Sequence, residues 1–255
     1  MPEETYRPPA AELNPETPGN GREGDGSLAS ALNGDYDFSI GELVGDAWRL
    51  VSGNKFVVWL GIIAFALVYG IAIVALSRLG LPDGQEAMAE GNFGLGMAQS
   101  IGQGFLLVPL IAPLTVGLAQ LVIQRAGGDD EAGVGEVFGY FGQLPRLMML
   151  FLIQTPLIYL GFILFLLPGI YLSVAYLYAP VLMIDKQLSP WQALEASRKS
   201  VTTHFFLVLG AGVSVYMLAA LLSLTLVGII WAAPFACLGY GLIYRRIFGH
   251  GPEAA

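Results

Sequence analysis

The sequence predicts an all-α integral membrane protein with six transmembrane helices and three interfacial amphipathic helices. Of its 255 residues, 55% are hydrophobic and only 13% are charged, about half the charged share of a typical soluble domain. The charged residues are also confined to short segments between long uncharged stretches. This composition excludes an ordinary soluble domain and a basic nucleic-acid-binding protein.

An acidic segment, residues 1–38, precedes the first uncharged stretch. It is rich in Pro, Gly, Glu, Asn and Ser and poor in large apolar residues, so we expect a disordered cytoplasmic tail. Its start is acidic and has no apolar centre, so no cleavable signal peptide is expected, and the first apolar stretch is expected to target the chain to the membrane. Residues 248–255 are expected to form a short C-terminal tail.

Four uncharged stretches supply the predicted spans, because a membrane-spanning helix needs about 20 mostly apolar residues. They are residues 56–77, 91–124, 147–184 and 205–244. The first two hold one span each, and the last two are long enough for two. Leu167-Pro168-Gly169 predicts the turn inside the third stretch, and Gly228 marks the expected break in the fourth. Re-entrant hairpins that do not cross the bilayer remain the alternative for these two stretches.

The distribution of Lys and Arg predicts the orientation. With six crossings, Arg78 falls on one face and the other 11 of the 12 Lys and Arg residues fall on the opposite face. Since cations concentrate on the cytoplasmic side, both termini are predicted to be cytoplasmic and the protein to be a multi-pass membrane protein.

Three amphipathic segments, 39–48, 133–141 and 189–197, each precede a pair of predicted spans. Each opens with a candidate N-cap, and Ser39 with Glu42 and Ser189 with Gln192 fit a capping box. The chain therefore reads as three repeats of an amphipathic helix plus two spans, at 39–125, 133–185 and 189–247. These helices are expected either to lie in the membrane interface or to pack against the cytoplasmic ends of the spans.

Aromatic and cationic residues on or beside these segments are the candidate contacts to lipid or to a partner. They are Trp48, Phe138, Phe141, Trp191, Arg198 and Lys199. A second set, Pro109, Pro113, Gln154 and Pro180, marks candidate helix breaks or a cavity inside the membrane. The densest proline pair, Pro109 with Pro113, is the first place where an unwound helix is expected.

Chemistry inside the spans is sparse. They contain no Asp, Glu, Lys, Arg or His, and Asp185 and His204 are expected to be boundary residues. Uncharged polar side chains in the spans are expected to hydrogen-bond between helices, with a polar pathway for a neutral solute as the alternative. No catalytic residue, metal site or cofactor is predicted, because His204, His250 and Cys237 form no recognisable motif.

One stretch resembles a known pattern. It contains Leu167-Pro168-Gly169, then Ala179-Pro180 up to Asp185, then Ser189-Pro190-Trp191-Gln192-Ala193-Leu194 and Ser197. It is similar to bacterial six-span inner-membrane proteins of unknown function, namely the YciC-like proteins and the membrane domain attached to some glycerophosphoryl diester phosphodiesterases. The resemblance is best over residues 134–210. It implies an inner-membrane location and six helices, and it carries over no enzymatic activity because no phosphodiesterase domain is present.

These observations predict a non-enzymatic inner-membrane protein that organises or stabilises the membrane or a membrane complex through its cytoplasmic helices. The alternative is a transporter or channel for a neutral or lipidic solute. The expected partners are membrane lipids, and either another membrane protein or a second copy of the chain. Nucleic acid is not an expected partner.

Overall fold

The computed structural model describes residues 25–79 and 84–251, which contain ten α-helices, two short 3-10 helices and no strand. The α-helices, numbered α1 to α10, are Leu28–Asn33, Ile40–Arg78, Gln85–Ala89, Phe93–Ala126, Leu144–Leu164, Leu166–Ala175, Ala179–Asp185, Pro190–Thr203, Phe205–Ser223 and Ile229–Phe248. The 3-10 helices are Val134–Phe138 and Phe141–Gln143.

Within the described residues, five helical segments are long and apolar enough to cross a membrane. They are Ile40–Arg78, Phe93–Ala126, Val134–Leu164, Leu166–Asp185 and Phe205–Ser223. The helix α10 is also long enough, with 20 residues, but Arg245 and Arg246 in its last turn lower its hydropathy, and it is not one of the five. Large side chains such as Phe56, Leu67 and Ile71 on α2 and Phe206 on α9 are exposed. Such continuous apolar surface is expected for a multi-pass membrane protein.

The core lies where α10 packs against α2, α4 and α9. Its largest fully buried side chains include Tyr178, Phe235, Tyr244 and Phe248. Only the first part of α2 contributes, because its buried residues run from Leu43 to Gly61. The remainder of α2, which is uncharged up to Ser77, therefore extends beyond the main core, where it packs against α4.

The structure differs from the sequence prediction over residues 25–38, for which disorder was expected. Ser27 caps α1, and Gly34 ends it in the left-handed conformation at φ 76°. After α1, Tyr36 and Phe38 are buried, and the Tyr36 hydroxyl donates to the carbonyl of Ser200 at 2.7 Å. Two large aromatic residues give this segment enough apolar surface to pack. Residues 1–24 and 252–255 of the two predicted tails lie outside the described residues.

The three amphipathic segments adopt three different structures. The first is continuous with its span in α2, and Ser39 caps it. The second forms the two 3-10 helices, where four glycines between residues 133 and 142 disfavour an α-helix. Only the third is a separate α-helix, α8, and its predicted capping box between Ser189 and Gln192 is confirmed. A regular threefold repeat of one unit is therefore not visible in these elements.

Of three predicted helix breaks, one is wrong, one is confirmed and one is displaced by a few residues. The helix α4 runs without interruption through Pro109 and Pro113, so the expected unwinding there is wrong. The break near Gly228 is confirmed, since Gly228 is the N-cap of α10. The turn between α5 and α6 lies at Phe165, whose backbone is extended, and Pro168 and Gly169 fall inside α6. Pro168 is tolerated there because the first N–H groups of a helix have no helical acceptor.

Candidate functional site in the broken helix and the polar end

Pro180 and Gln154, two of the predicted cavity residues, both bear on the interruption between α6 and α7. Pro180 has no N–H, so in a continuous helix the carbonyl of Tyr176, four residues earlier, would lack its donor. At the break, that oxygen accepts from Nε2 of Gln154 on α5 at 3.2 Å and from the backbone N–H of Ala179, also at 3.2 Å. The neighbouring carbonyl of Ala175 accepts from Ser197 Oγ of α8 at 2.7 Å. Polar side chains from two helices thus add to the backbone bonds that remain at the break.

An apolar cavity of about 220 Å³ lies beside this break, between the α6–α7 junction, α9 and α10. Three tyrosines, Tyr178, Tyr216 and Tyr240, line it together with apolar side chains. At its edge, Val213 and Tyr216 are more than half exposed, so the cavity is continuous with the apolar outer surface. Pro109, Pro113, Gln154 and Pro180 do not line it. Its lining suits an apolar ligand and offers little to a hydrated one.

Asp185 lies in a buried polar cluster where α7 meets the end of α10. Its carboxylate accepts from the Tyr244 hydroxyl at 2.7 Å and from the backbone N–H of Gly251 at 3.0 Å. The ammonium of Lys186 is 3.5 Å away, and Nδ1 of His250 is 2.9 Å away. The Asp185 side chain is only 2% exposed, so these groups replace most of the water that would solvate it. We call this region, with Arg245 and Arg246, the polar end of the bundle.

The N-terminal segment is joined to the polar end by an ion pair that the sequence does not predict. Arg245 donates through Nε to Asp25 at 3.1 Å and also pairs with it through Nη2. Arg246 pairs with Asp46 of α2. His204 Nε2 lies 2.8 Å from the carbonyl of Gly34. Burial raises the pKa of Tyr36 to about 12, so its hydroxyl stays neutral near pH 7. The only sign in the sequence that this segment is ordered is the presence of two large aromatic residues, Tyr36 and Phe38, among polar ones.

The helix α8 packs its apolar stripe into the protein, since Ala193, Leu194 and Val201 are buried. This favours packing against the bundle over immersion of the stripe in lipid. Its outer face presents Trp191, which is 63% exposed, and the predicted contacts Arg198 and Lys199. Both cations pair with Glu195, at 2.8 Å and 3.5 Å. The hydrogen bond from Arg198 keeps the pKa of Glu195 below its usual value.

A third cation, Arg146, lies near the start of α8. Arg146 donates to the carbonyl of Leu188 at 2.8 Å and to the side-chain oxygen of Gln143 at 3.1 Å, and both acceptors are neutral. Among the described residues, Glu195 is the carboxylate within ion-pair distance of Arg198 and Lys199, so these four side chains together carry an excess of positive charge. We call Arg146, Trp191, Glu195, Arg198 and Lys199 the α8 face.

The other predicted contacts lie on different elements. Trp48 on α2 is half exposed and packs edge-on against Phe235, with ring centres 6.0 Å apart. Phe138 and Phe141 are exposed on the two 3-10 helices. A lipid or partner role for these three aromatic residues stays a prediction.

Within the described part of the chain, no group of three or more Asp, Glu, His or Cys side chains is placed to hold a metal ion. The fold is that of an all-helical membrane protein. Comparison with protein-family models, with curated proteins and with solved structures gives no match for this chain. The resemblance to the YciC-like proteins therefore stays a prediction.

Proposed function

We propose that this chain is a non-enzymatic multi-pass protein of a bacterial inner membrane that gathers anionic lipids on its cytoplasmic side. The observation that carries the proposal is the excess of cations on the α8 face beside an exposed tryptophan. Juxtamembrane Lys and Arg attract anionic headgroups by about 1 kcal/mol each, and Trp favours the membrane interface. Lipids, and through them a membrane-protein partner or a second copy, are the proposed partners.

The proposed topology places both termini in the cytoplasm and the chain in three hairpins that enter the membrane from that side. Six crossings are the sequence-based form of this topology. The distribution of cations supports this orientation whether or not every hairpin crosses completely, because each hairpin starts and ends on the same face of the membrane. The polar end, the α8 face and Arg125 all belong to the cation-bearing face in this arrangement.

The lipid proposal is tested with the purified protein in phosphatidylcholine vesicles that contain a trace of spin-labelled lipid. We expect spin-labelled phosphatidylglycerol to be immobilised in preference to spin-labelled phosphatidylcholine. Lys199→Gln with Arg146→Gln removes two cations, so the preference is expected to fall several-fold. Glu195→Gln is the matched variant of opposite sign, since it leaves Arg198 and Lys199 without their carboxylate and should raise the preference. Equal immobilisation of both lipids by the unaltered protein would contradict the proposal.

A second candidate function, binding or transport of a lipidic solute, is favoured by the apolar cavity between α9 and α10. Gly212 lines this cavity, and a Cβ at this position would meet no atom within 4 Å. Gly212→Leu is therefore expected to fill the cavity without disturbing its neighbours. Gly70→Leu adds the same side chain at an open position of α2. If a lipid copurifies in the cavity, Gly212→Leu should displace it and Gly70→Leu should not; equal retention by both variants would exclude this function.

A further inference from the structure

The alignment of the last hairpin with α2 shows how deep that hairpin reaches. Near the start of α9, Gly210 lies against Ile40. Near the start of α10, the carbonyl of Ile230 accepts from Trp59 Nε1 at 2.8 Å, and Lys55 Nζ lies 5.3 Å from the ring centre of Trp231. The hairpin α9–α10 thus lies alongside residues 40–59 of α2. This half of α2 carries Glu42, Asp46, Arg49 and Lys55.

The uncharged half of α2 extends well past this hairpin. From Leu60 to Ser77 it has 18 residues, about 27 Å of helix, which is close to the thickness of the hydrocarbon core. If this half crosses the bilayer, the tip of α9–α10 lies near the level where the crossing starts. Leu224 is seven residues from Trp231 and its neighbouring Lys55 ammonium, so at the rise of a helix the tip reaches about 10 Å further.

The hairpin α5–α6 likewise lies alongside a helix that carries charged residues, in this case α8. The Tyr171 hydroxyl lies 2.7 Å from Thr202 Oγ1 on α8, one turn from Arg198, and its ring packs against Phe205 with centres 5.6 Å apart. Tyr171 is six residues from the turn at Phe165, which is about 9 Å of helix. Since Arg198 and Lys199 belong at the membrane surface, this hairpin reaches less than half of the way across.

The tips of both hairpins are suited to hydrocarbon. Leu167 at one tip and Leu226 at the other are 77% and 89% exposed, and neither turn contains a charged residue. The second turn is also largely hydrogen-bonded within itself. The N–H of Thr225 bonds to Leu222, the N–H of Gly228 bonds to Thr225 Oγ1, and the N–H of Ile229 bonds to the Thr225 carbonyl. Backbone groups in lipid need internal partners of this kind.

We infer that α5–α6 and α9–α10 are re-entrant hairpins whose tips end among the acyl chains of the cytoplasmic leaflet, so that only α2 and α4 cross the bilayer. This inference rests on the proposed orientation of the chain. Two re-entrant hairpins leave the cations on the same face of the membrane as six crossings would. They also make the inserted volume unequal between the leaflets, with two additional hairpins in the cytoplasmic one.

The test uses single spin labels and a membrane-impermeant nickel chelate confined to the outside of sealed spheroplasts. Labels are attached to Leu167→Cys and Leu226→Cys in a Cys237→Ala background. Leu67→Cys marks the middle of the α2 span, and Glu90→Cys marks the segment after α3 on the predicted outer face. All four side chains are exposed, so the labels displace no packed neighbours. Relaxation by external nickel falls steadily with distance from the outer surface.

We expect the relaxation to be strongest at Glu90, weaker at Leu67 and weakest at Leu167 and Leu226. Tips that relax more than Leu67 would show that the hairpins cross, which would overturn the inference and leave the proposed orientation intact. Relaxation at Glu90 no greater than at Leu67 would show that the first hairpin does not reach the outer face. The proposed orientation would then fail, and the inference with it.

Discussion

At the scale of single residues, the main determinants are polar side chains that replace lost backbone or solvent contacts. Gln154 donates to the carbonyl that Pro180 leaves without a helical donor. Asp25 pairs with Arg245, whose side chain is only 5% exposed. Without Asp25, the buried guanidinium would lose its counter-charge, which costs more than the bond itself contributes. Without Gln154, the carbonyl of Tyr176 would keep only the N–H of Ala179.

Gln154→Leu is expected to lower the free energy of unfolding by about 1 kcal/mol, because the buried carbonyl of Tyr176 loses its side-chain donor and keeps only the N–H of Ala179. The effect stays modest since Gln154 Oε1 has no partner in the described structure, and its removal offsets part of the loss. Unfolding in mixed detergent micelles measures the change. Thr115→Val removes a hydroxyl that bonds to Ile111 within its own exposed helix turn and should be close to neutral. A larger loss for Thr115→Val would contradict this account.

Asp25→Asn is expected to release residues 25–38 from α10, because the neutral amide no longer balances the buried guanidinium of Arg245. An uncompensated buried charge typically costs about 3–5 kcal/mol, so amide hydrogen exchange in α1 should accelerate by at least tenfold. Asp37→Asn removes an equal charge from an exposed side chain and should leave exchange in α1 unchanged. Equal exchange in the two variants would show that the ion pair does not fix this segment.

At the scale of elements, the same residue type gives different structures in different surroundings. The helix α4 continues through Pro109 and Pro113, whereas the chain breaks before Pro180. At Pro180, Gln154 and Ser197 offer donors to the carbonyls that the break exposes. A sequence shows each proline but not which neighbouring helix supplies a donor, so it does not distinguish Pro180, where the helix breaks, from Pro109 and Pro113, where it continues.

Pro180→Ala restores a backbone N–H that can bond to the carbonyl of Tyr176. We therefore expect Gln154→Leu to cost about 1 kcal/mol in the unaltered chain and close to nothing in the Pro180→Ala background. A double-mutant cycle on the free energy of unfolding measures this coupling. Additive effects would mean that Gln154 stabilises the chain by some other contact.

The sequence predicts the α-helical class, the apolar stretches, the start of α8 and the break at Gly228, because composition and local capping determine these features. It misplaces the turn at Phe165 by a few residues and predicts disorder for 25–38. The ordered segment depends on Arg245 and Ser200, which lie more than 150 residues away along the chain. Local patterns contain no information about contacts at that separation.

At the scale of the whole molecule, the proposed function depends on how the surface divides between lipid and the two sides of the membrane. In the proposed topology, the apolar surface of α2, α5 and α9 faces lipid, the polar end and the α8 face lie in the cytoplasm, and Glu90 and Arg78 lie on the opposite side. The lipid preference, the depth of the hairpins and the cytoplasmic position of α8 all follow from this division, so a test of it tests the account as a whole.

The most direct measurement is the labelling of Lys199→Cys and Glu90→Cys, each in the Cys237→Ala background, by a membrane-impermeant maleimide. Both side chains are exposed, so access depends on the side of the membrane alone. In sealed spheroplasts we expect Glu90→Cys to react and Lys199→Cys to be protected, and in inverted vesicles we expect the reverse. Reaction of Lys199→Cys from the outside of intact spheroplasts, or equal reaction of both variants from one side, would contradict the central claim.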